Sequence, residues 1–405
     1  MNKDGAVLEK QSGSKTAFLR EELDKLKAQN LWWTLRVHQS PQAARVKVDG
    51  RQVISLASNN YLGLTNHPKL KNAAIQAIKK YGVGSGAVRP IAGTMAIHEE
   101  LEKKLASFKY AEASLVFQSG YISNVAVVST VMGEGDLILS DQLNHASIID
   151  GARVTKAERK VYGHCDVAAL EQLLKEAQGK YRRILVVTDS VFSMDGDIAP
   201  LKELAALAKR YGALFMVDDA HGSGVLGKQG RGAVNHFGLE GQVDIQIGTL
   251  SKAIGAMGGY VVGSRDLREY MIQKARPFLF STSHPPSVAA TCLAAIEVMQ
   301  KEPKWLKQLW ENTKFFQGEL KRMGFNIGKT QTPLTPVIAG DPKKAQQLSA
   351  QLWKQGIFVQ AIVFPMVARE QSRVRAIVTG GHTKQDLTKC LEAFKKSGRS
   401  LGLIS

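Results

Sequence analysis

Cysteine and long apolar stretches are scarce in this sequence. Its 405 residues include three cysteines, Cys165, Cys292 and Cys390, which lie too far apart for a metal-ligand spacing or a disulfide framework. No apolar run approaches the roughly 18 residues that a membrane-spanning helix needs, and residues 1–15 lack the apolar segment of a signal peptide. We therefore expect a cytoplasmic protein with no metal site and no membrane partner.

Acidic residues are also in short supply. The chain has 54 lysines and arginines against 36 acidic residues, which gives a net charge of +18. Nucleic-acid binding is one interpretation of such an excess, but the basic residues are spread along the chain and are not grouped with aromatic ones. A basic solvated surface is the simpler interpretation, and it would attract an anionic substrate. We expect no nucleic-acid partner.

Chemically active residues gather at the ends of two predicted strands. The apolar residues 213–217 indicate a buried parallel strand, and Asp218 stands at its carboxyl end, where open α/β sheets bind ligands. His221 follows three residues later. A second short apolar run ends in Gly-Thr-Leu-Ser-Lys, which places Thr249 and Lys252 just past another strand end.

An acid, a histidine and a lysine at neighbouring strand ends suit pyridoxal phosphate. This cofactor needs a lysine for a Schiff base and a carboxylate that keeps its pyridine nitrogen protonated, so that the ring accepts electrons. Lys252 would be that lysine and Asp218 that carboxylate. His221 could donate a hydrogen bond to the phenolic oxygen, and Thr249 could hold the phosphate. Alone, each could be a solvated lysine, a helix cap or a loop residue; together they favour the cofactor.

The order of strand and helix signals predicts an α/β fold around a mainly parallel sheet. From Ser114 onward the two signals alternate, and residues 258–264 are interpreted as a strand of opposite direction. A strand before Ser119 leads through Gly120 and Tyr121 into a helix. The first amides of a helix can bind an anion, so we assign Gly120 and Tyr121 to the cofactor phosphate.

Turn and cap residues predict several local elements. Asp49 and Gly50 indicate a hairpin, Pro68 is expected to begin a helix that ends at Tyr81, and Thr94 is expected to cap the next helix.

Composition divides the chain into three predicted parts. Residues 1–60 form an N-terminal arm and hairpin, residues 61–295 a large cofactor-binding α/β domain, and residues 296–405 a small C-terminal α+β domain. Residues 15–30 have the apolar spacing of an amphipathic helix. We expect this arm to pack on another surface, such as a partner subunit.

Several motifs in this sequence resemble the α-oxoamine synthases, which are fold type I pyridoxal-phosphate enzymes that condense an amino acid with an acyl-CoA. The resemblance includes SNNYLGL, SDQLNHASIIDG, DSVFSMDGDIAPL, DDAHGSGVLG, GTLSKAIG, FLFSTSHPP and RVRAIVTGGHT, in that order along the chain. It extends from about Trp32 to Ile404, and it implies the fold and the cofactor of that family.

The resemblance also implies roles for residues that the spacing alone does not assign. Together with Lys252, Asp218 and His221, His145 would take part in catalysis by stacking on the cofactor ring, and Ser193 would lie near the phenolic oxygen. Ser281 and Thr282 would reach the phosphate held by the neighbouring subunit, which implies a homodimer with shared active sites; the alternative is that they are turn hydroxyls.

One arginine is predicted to bind the amino-acid substrate. Arg373 and Arg375 alternate with Val374 on a predicted strand, so both would point the same way. Arginine binds carboxylates in bidentate fashion. By its position before His382, Arg375 matches the family's carboxylate-binding arginine, with Asn59 as its expected helper, and Arg373 is expected to be a surface or supporting charge.

The family contains more than one reaction. Residues 356–377 are most similar to glycine C-acetyltransferases, which join glycine to acetyl-CoA and give 2-amino-3-oxobutanoate and CoA. We therefore expect glycine or another small amino acid and an acyl-CoA as substrates. The alternatives are 8-amino-7-oxononanoate synthase, which condenses alanine with a pimeloyl thioester and releases carbon dioxide in biotin synthesis, and an α-oxoamine synthase of broad specificity.

Overall fold

The first helix of the described residues is amphipathic and solvent-exposed. The structure, a computed structural model, describes residues 15–29, 31–32 and 34–405, so residues 1–14 of the predicted arm lie outside the described part. Helix α1 (Phe18–Ala28) buries none of its side chains. Its exposed apolar residues are Phe18, Leu19, Leu23 and Leu26.

A β-hairpin follows the arm, as the turn residues predict. Strands β1 (Arg45–Val48) and β2 (Arg51–Ser55) pair antiparallel. Asp49 and Gly50 join them with φ of 47° and 78°, the left-handed backbone that a tight hairpin turn requires.

A seven-stranded sheet with helices on both faces forms the largest part of the fold. Its elements, in chain order, are α2 (Pro68–Tyr81), α3 (Ala96–Lys109), β3 (Ala113–Phe117), α4 (Gly120–Val131), β4 (Asp136–Asp141), α5 (Ala146–Arg153), β5 (Glu158–Tyr162), α6 (Val167–Ala177), β6 (Arg183–Asp189), α7 (Leu201–Tyr211), β7 (Leu214–Asp218), α8 (Ala233–Phe237), β8 (Ile245–Thr249), β9 (Gly259–Gly263), α9 (Arg265–Lys274), α10 (Arg276–Leu279) and α11 (Pro286–Lys301). The predicted helix from Pro68 to Tyr81 is confirmed.

The strand order is β3-β9-β8-β7-β6-β4-β5, and β9 runs in the direction opposite to that of the other six strands. Apolar side chains fill both faces, as expected for parallel strands covered by helices. Leu137 and Leu139 of β4 pack into one core, and Ile138 between them packs into the core on the other face. The predicted mainly parallel sheet and its reversed strand are confirmed.

The C-terminal part is an α+β unit with its own apolar core. It comprises α12 (Lys304–Arg322), β10 (Leu334–Ile338), α13 (Pro342–Lys354), β11 (Ile357–Phe358), β12 (Gln360–Ile362), β13 (Arg373–Ile377) and α14 (Lys384–Ser400). Strands β10, β13 and β12 form one antiparallel sheet, and β11 joins the hairpin beside β2. Because of that pairing, Ile54 and Leu56 pack with Phe316 and Phe394 in this second core. The exact domain boundaries stay a prediction.

The expected helix cap at Thr94 is wrong. Helix α3 begins at Ala96 after Met95, one residue later than a Thr94 cap would require. The Thr94 hydroxyl instead accepts a hydrogen bond from Arg89 Nε at 3.0 Å and donates to the Arg89 carbonyl at 2.7 Å. A nearby arginine therefore competes successfully for this side chain.

No helix in the described part of the chain combines the length and apolar character that a bilayer crossing requires.

We expect Gly259→Ala to destabilise the protein by about 1–3 kcal/mol. A Cβ on this residue of β9 would lie 2.5 Å from the backbone nitrogen of Gly120, where α4 begins, so the strand and the helix would have to separate. Gly318→Ala is the control, because open space surrounds the added carbon on α12 and alanine favours a helix by up to about 1 kcal/mol. Urea unfolding measures both; equal stabilities would contradict the close packing of β9 on α4.

Candidate active site

A cavity of about 250 Å³ opens where the central parallel strands end. Residues after β4, β6, β7 and β8 meet at this edge of the sheet, and the N-terminus of α4 closes one side. Seven predicted site residues line the cavity: Gly120, Tyr121, His145, Asp218, His221, Thr249 and Lys252. The structure therefore brings together most of the residues that the sequence singles out.

One end of the cavity is built to receive an anion. The Ser119 hydroxyl accepts a hydrogen bond from the amide of Ile122 at 3.1 Å and caps α4. The first amides of a helix have no partner within the helix, so those of Gly120 and Tyr121 are available to a phosphate. A Cβ on Gly120 would lie 3.2 Å from Thr249 Cβ, so glycine lets the helix approach Thr249 closely.

The Asp218 carboxylate is held in place at the floor of the cavity. Its Oδ2 accepts a hydrogen bond from Asn124 Nδ2 at 2.5 Å, and its Oδ1 accepts one from the amide of Ala220 at 2.9 Å. Asn124 Nδ2 also donates to Ser147 Oγ at 2.9 Å. Sequence reasoning missed Asn124, although it lies one helical turn after Gly120 and therefore on the same face of α4.

Asp189 is a second carboxylate in the cavity that the sequence analysis did not select. It ends β6 and pairs in register with Asp218 at the end of β7. Its Oδ2 accepts a hydrogen bond from the amide of His145 at 3.1 Å. Burial, and then the nearby Asp218 charge, raise the pKa of Asp189 well above its usual range. The sequence could have indicated Asp189 as a site residue, because it stands at the carboxyl end of a strand, as Asp218 does.

Lys252 lies inside the cavity among these acids. Burial lowers the pKa of its ammonium to about 8, against the opposing effect of the Asp218 and Asp189 carboxylates. Lys252 is therefore far more often a neutral, nucleophilic amine near neutral pH than an exposed lysine is, and attachment to a carbonyl carbon requires that neutral form.

His221 is fixed by Tyr61, another residue that the sequence analysis did not select. The Tyr61 hydroxyl lies 2.7 Å from His221 Nδ1. Burial, with Lys252 and Arg375 nearby, holds the pKa of His221 well below its usual range, and burial raises the pKa of Tyr61. The phenol thus keeps its proton and can donate it to Nδ1. We assign the hydrogen bond in this direction, which leaves the proton of the neutral imidazole on Nε2.

His145 caps a helix and also faces the cavity. It caps α5, since the Ser147 amide donates to its Nδ1 at 3.2 Å, and the Ser147 hydroxyl lies 2.7 Å from the same atom. It also lines the cavity. Its stacking on a cofactor ring stays a prediction.

Five predicted residues do not line this cavity in the described part of the chain: Asn59, Ser193, Ser281, Thr282 and Arg375. Arg375 is nevertheless close, because its Nη1 donates to the Ser193 carbonyl at 3.0 Å and its charge acts on Lys252. The buried Asn59 Oδ1 has no hydrogen-bond partner among the described residues, so it can accept one from a ligand. Ser281 and Thr282 are assigned by resemblance to a second subunit's site.

Of the two roles expected for Arg373, a surface charge or a supporting charge, its burial excludes the first. It is 2% exposed, and its Nη1 donates to Asp195 Oδ1 at 2.5 Å and to the Met194 carbonyl at 2.8 Å. Arg373 and Arg375 therefore both reach the loop after β6, in agreement with their shared direction on β13. The ion pair with Asp195 explains why a buried arginine is tolerated there.

This set of groups fits pyridoxal phosphate. The cavity offers a carboxylate for the pyridine nitrogen, amides and hydroxyls for the phosphate, and a nucleophilic amine for the aldehyde. These groups correspond to the three polar ends of that cofactor: Thr249 and Gly120 to the phosphate, Asp218 to the pyridine nitrogen, and the lysine amine to the aldehyde.

Comparison with known proteins supports the same chemistry. The family model of the class I and II aminotransferases matches residues 51–394. The chain is 58% identical over 389 residues to 8-amino-7-oxononanoate synthase from Symbiobacterium thermophilum, with 96% of this chain and 99% of that protein covered. It is 52% identical over 387 residues to 8-amino-7-oxononanoate synthase 1 from Bacillus subtilis, with 96% and 98% covered.

Solved structures give a similar result. Serine palmitoyltransferase from Sphingomonas wittichii superimposes with a TM-score of 0.91 at 32% identity, covering 98% of this chain and 100% of that one. An 8-amino-7-oxononanoate synthase from Francisella tularensis gives a TM-score of 0.74 at 28% identity, covering 86% and 98%.

These relatives contradict the expectation of glycine C-acetyltransferase. That expectation rested on residues 356–377, and above all on the loop between β12 and β13. Among the described residues, none from this segment lines the cavity. The similarity of this loop to glycine C-acetyltransferases therefore said little about the groups that line the cavity. Identity over almost the whole chain says much more about the reaction.

We expect Tyr61→Phe to alter the proton distribution of His221. Loss of the phenol leaves Nδ1 without its donor, so the Nδ1–H form becomes populated, and stability falls by about 1 kcal/mol. Nitrogen NMR of the imidazole measures the tautomer, and urea unfolding measures stability. Tyr181→Phe, which removes an exposed phenol bonded to Glu158 at 2.6 Å, is the control. An unchanged imidazole spectrum in Tyr61→Phe would contradict the tautomer assignment.

Proposed function

The chain belongs to the α-oxoamine synthases of the class I and II aminotransferase family, and from that premise we propose that it catalyses the 8-amino-7-oxononanoate synthase reaction. It is a pyridoxal-phosphate-dependent C-acyltransferase. The observation that carries the proposal is its high identity, over almost the full length of both chains, with proteins of that name. The cavity and its polar groups support the same conclusion.

The proposed reaction joins two carbon skeletons and releases carbon dioxide and a free thiol. Alanine and a pimeloyl thioester give 8-amino-7-oxononanoate, carbon dioxide and the free thiol. A bond forms between alanine Cα and the thioester carbon, the thioester C–S bond breaks, and the alanine carboxylate leaves as carbon dioxide. A proton lost from Cα is replaced by one from the medium when the carboxylate leaves.

Pyridoxal phosphate, when bound, supplies an electron sink that stabilises negative charge at the amino-acid Cα. Asp218 would keep the pyridine nitrogen protonated, and Asn124 orients that carboxylate through a 2.5 Å hydrogen bond. His221 would donate its Nε2 proton to the phenolic oxygen. Gly120, Tyr121 and Thr249 would hold the phosphate.

Lys252 would hold the cofactor aldehyde and, once displaced by alanine, remove the proton from its Cα. A base works best when its pKa lies near the working pH, and burial places the pKa of Lys252 at about 8. Arg375 and Asn59 would bind the alanine carboxylate until it leaves. The surplus of basic residues would attract the anionic thioester.

We also propose that the protein works as a homodimer in the cytosol. The exposed apolar face of α1 is suited to cover another subunit, and Ser281 and Thr282 lie outside the cavity of their own chain. Each active site would then take its lysine from one subunit and its two hydroxyls from the other. The three cysteines, all free thiols, agree with a reducing compartment.

The substrate pair is tested by measuring both products. With pimeloyl-CoA as the thioester, we expect thiol release to be at least about tenfold faster with alanine than with glycine or serine, since one methyl group is worth roughly 10-fold or more in a fitted pocket. Carboxyl-labelled alanine should release labelled carbon dioxide in a one-to-one ratio with thiol. Fastest turnover with glycine and acetyl-CoA, with the carboxylate retained, would refute the proposal.

The shared site is tested by mixing two inactive variants. Lys252→Ala and the double variant Ser281→Ala/Thr282→Ala carry defects on opposite sides of each proposed interface. Random reassociation gives half mixed dimers, each with one intact site, so activity should rise to about a quarter of the wild-type value. Lys252→Ala mixed with Asp218→Asn is the control, because both defects lie in the same half-site and no intact site forms. No gain in the first mixture would refute sharing.

A further inference from the structure

A buried ion pair lies directly behind the proposed active site. Asp218 and Asp219 are consecutive at the end of β7, so their side chains point in opposite directions. Asp218 lines the cavity, whereas Asp219 is completely buried on the far side, 2.7 Å from the ammonium of Lys109. Lys109 is the last residue of α3, and its side chain is 1% exposed.

Every polar group of this pair is satisfied. Lys109 Nζ donates to Asp219 Oδ2, to Ser223 Oγ at 2.8 Å and to the Arg231 carbonyl at 2.5 Å, which uses all three ammonium protons. Asp219 also accepts hydrogen bonds from Ser190 Oγ at 2.8 Å, Ser223 Oγ at 3.1 Å and the amide of Ala233 at 3.0 Å. Burial alone would lower the pKa of Lys109, but Asp219 reverses this and raises it.

The surrounding backbone is shaped by the pair. A Cβ on Gly222 would collide with Asp219 Oδ1, and one on Gly232 would collide with both Asp219 Oδ2 and Lys109 Nζ. Gly232 also has a φ of 104°, which other residues rarely adopt. Two glycines of the segment after Asp218 are thus required for the ion pair to form.

The same contacts reach the residues that face the cavity. Ser190 follows Asp189, and its amide donates to the Asp218 carbonyl at 2.8 Å; the amide of Ser223 donates to the Asp219 carbonyl at 2.9 Å and closes the turn that contains His221. The next residue, Gly224, packs so tightly on Ala253, the neighbour of Lys252, that an added Cβ would collide with it.

We infer that Lys109 is a positioning residue of the active site: its ion pair with Asp219 fixes the turn that carries Asp218 and His221 and balances the charge that Lys252 experiences. This inference rests on the proposed roles of those three residues. It gives Asp219 a counter-charge on the far side of the strand end, behind the Asp189 and Asp218 carboxyl groups of the cavity.

The charge balance predicts opposite effects of two single substitutions on Lys252. The groups whose charges face Lys252 are Asp218, Asp189, Arg375, His145 and His221. Lys109→Met removes a positive charge behind them, which favours the protonated amine and raises the pKa of Lys252. Asp219→Asn leaves the Lys109 charge unbalanced and lowers that pKa. The double variant removes both charges and should restore the wild-type value.

The measurement is pH-dependent labelling of Lys252 in the full-length chain freed of cofactor, followed by mass spectrometry of the labelled peptide. We expect the labelling midpoint to move up by roughly one pH unit in Lys109→Met and down by roughly one in Asp219→Asn. In Lys109→Met/Asp219→Asn it should return to within about 0.3 of the wild-type midpoint. If Lys109→Met does not fold, Asp219→Asn and the double variant still give the required contrast.

Asp136→Asn is the matched control, because Asp136 is also a fully buried carboxylate paired with an arginine, Arg182 at 2.9 Å, but lies at the opposite end of the sheet where β4 begins. It should lower the unfolding midpoint without moving the labelling midpoint. Shifts of the same sign in both single variants, or no shift in either, would overturn the inference. The assay uses no substrate, so an error in the proposed reaction leaves this result unaffected.

Discussion

A pair of neighbouring buried carboxyl groups at the ends of β6 and β7 is the constraint on which the rest of the site depends. Asp189 and Asp218 meet in register at that edge, and neither lies far from the Lys252 amine. A charged carboxylate is expensive to bury unless hydrogen bonds or an opposite charge compensate it. Asp218 accepts hydrogen bonds from the Asn124 side chain and from the Ala220 amide. Asp189 accepts one from the His145 amide. The position of α4 and the start of α5 follow from these requirements.

Backbone segments approach each other closely around the site, and this brings the hydrogen-bonding groups that compensate the carboxyl groups into position. Gly259 lets β9 lie against the start of α4, and Gly120 lets the same helix turn approach Thr249. An anion-binding helix end is thereby pressed against the strand end that carries the lysine. A side chain at either glycine would separate the amides proposed to bind the phosphate from the Lys252 amine proposed to hold the cofactor aldehyde.

The sequence was sufficient for residues that follow directly after a strand. Asp218, His221, Thr249 and Lys252 could be found because an apolar run predicts where a parallel strand ends, and ligands bind at that edge. Asn124, Asp189 and Tyr61 could not be chosen in this way, because their roles depend on helix rotation, strand register and a contact across 160 residues. Thr94 shows the reverse case, in which a helix-cap preference lost to hydrogen bonds with Arg89, five residues earlier in the chain. The reaction itself was misassigned because a loop outside the cavity was given too much weight.

The hydrogen bond between Tyr61 and His221 lies within the large-sheet part of the fold, because the Tyr61 ring packs in the core of that part. Tyr61 follows closely on β2, whose Ile54 packs in the C-terminal core, and its carbonyl accepts a hydrogen bond from the amide of Gly380 at 2.7 Å. His221 belongs to the sheet that carries Lys252. The C-terminal unit therefore contacts Tyr61 through its backbone, and a rotation of that unit against the sheet would displace the phenol that contacts His221. A hinge movement of the C-terminal unit would thereby change the position of the proton on the His221 imidazole, beside the lysine proposed to react.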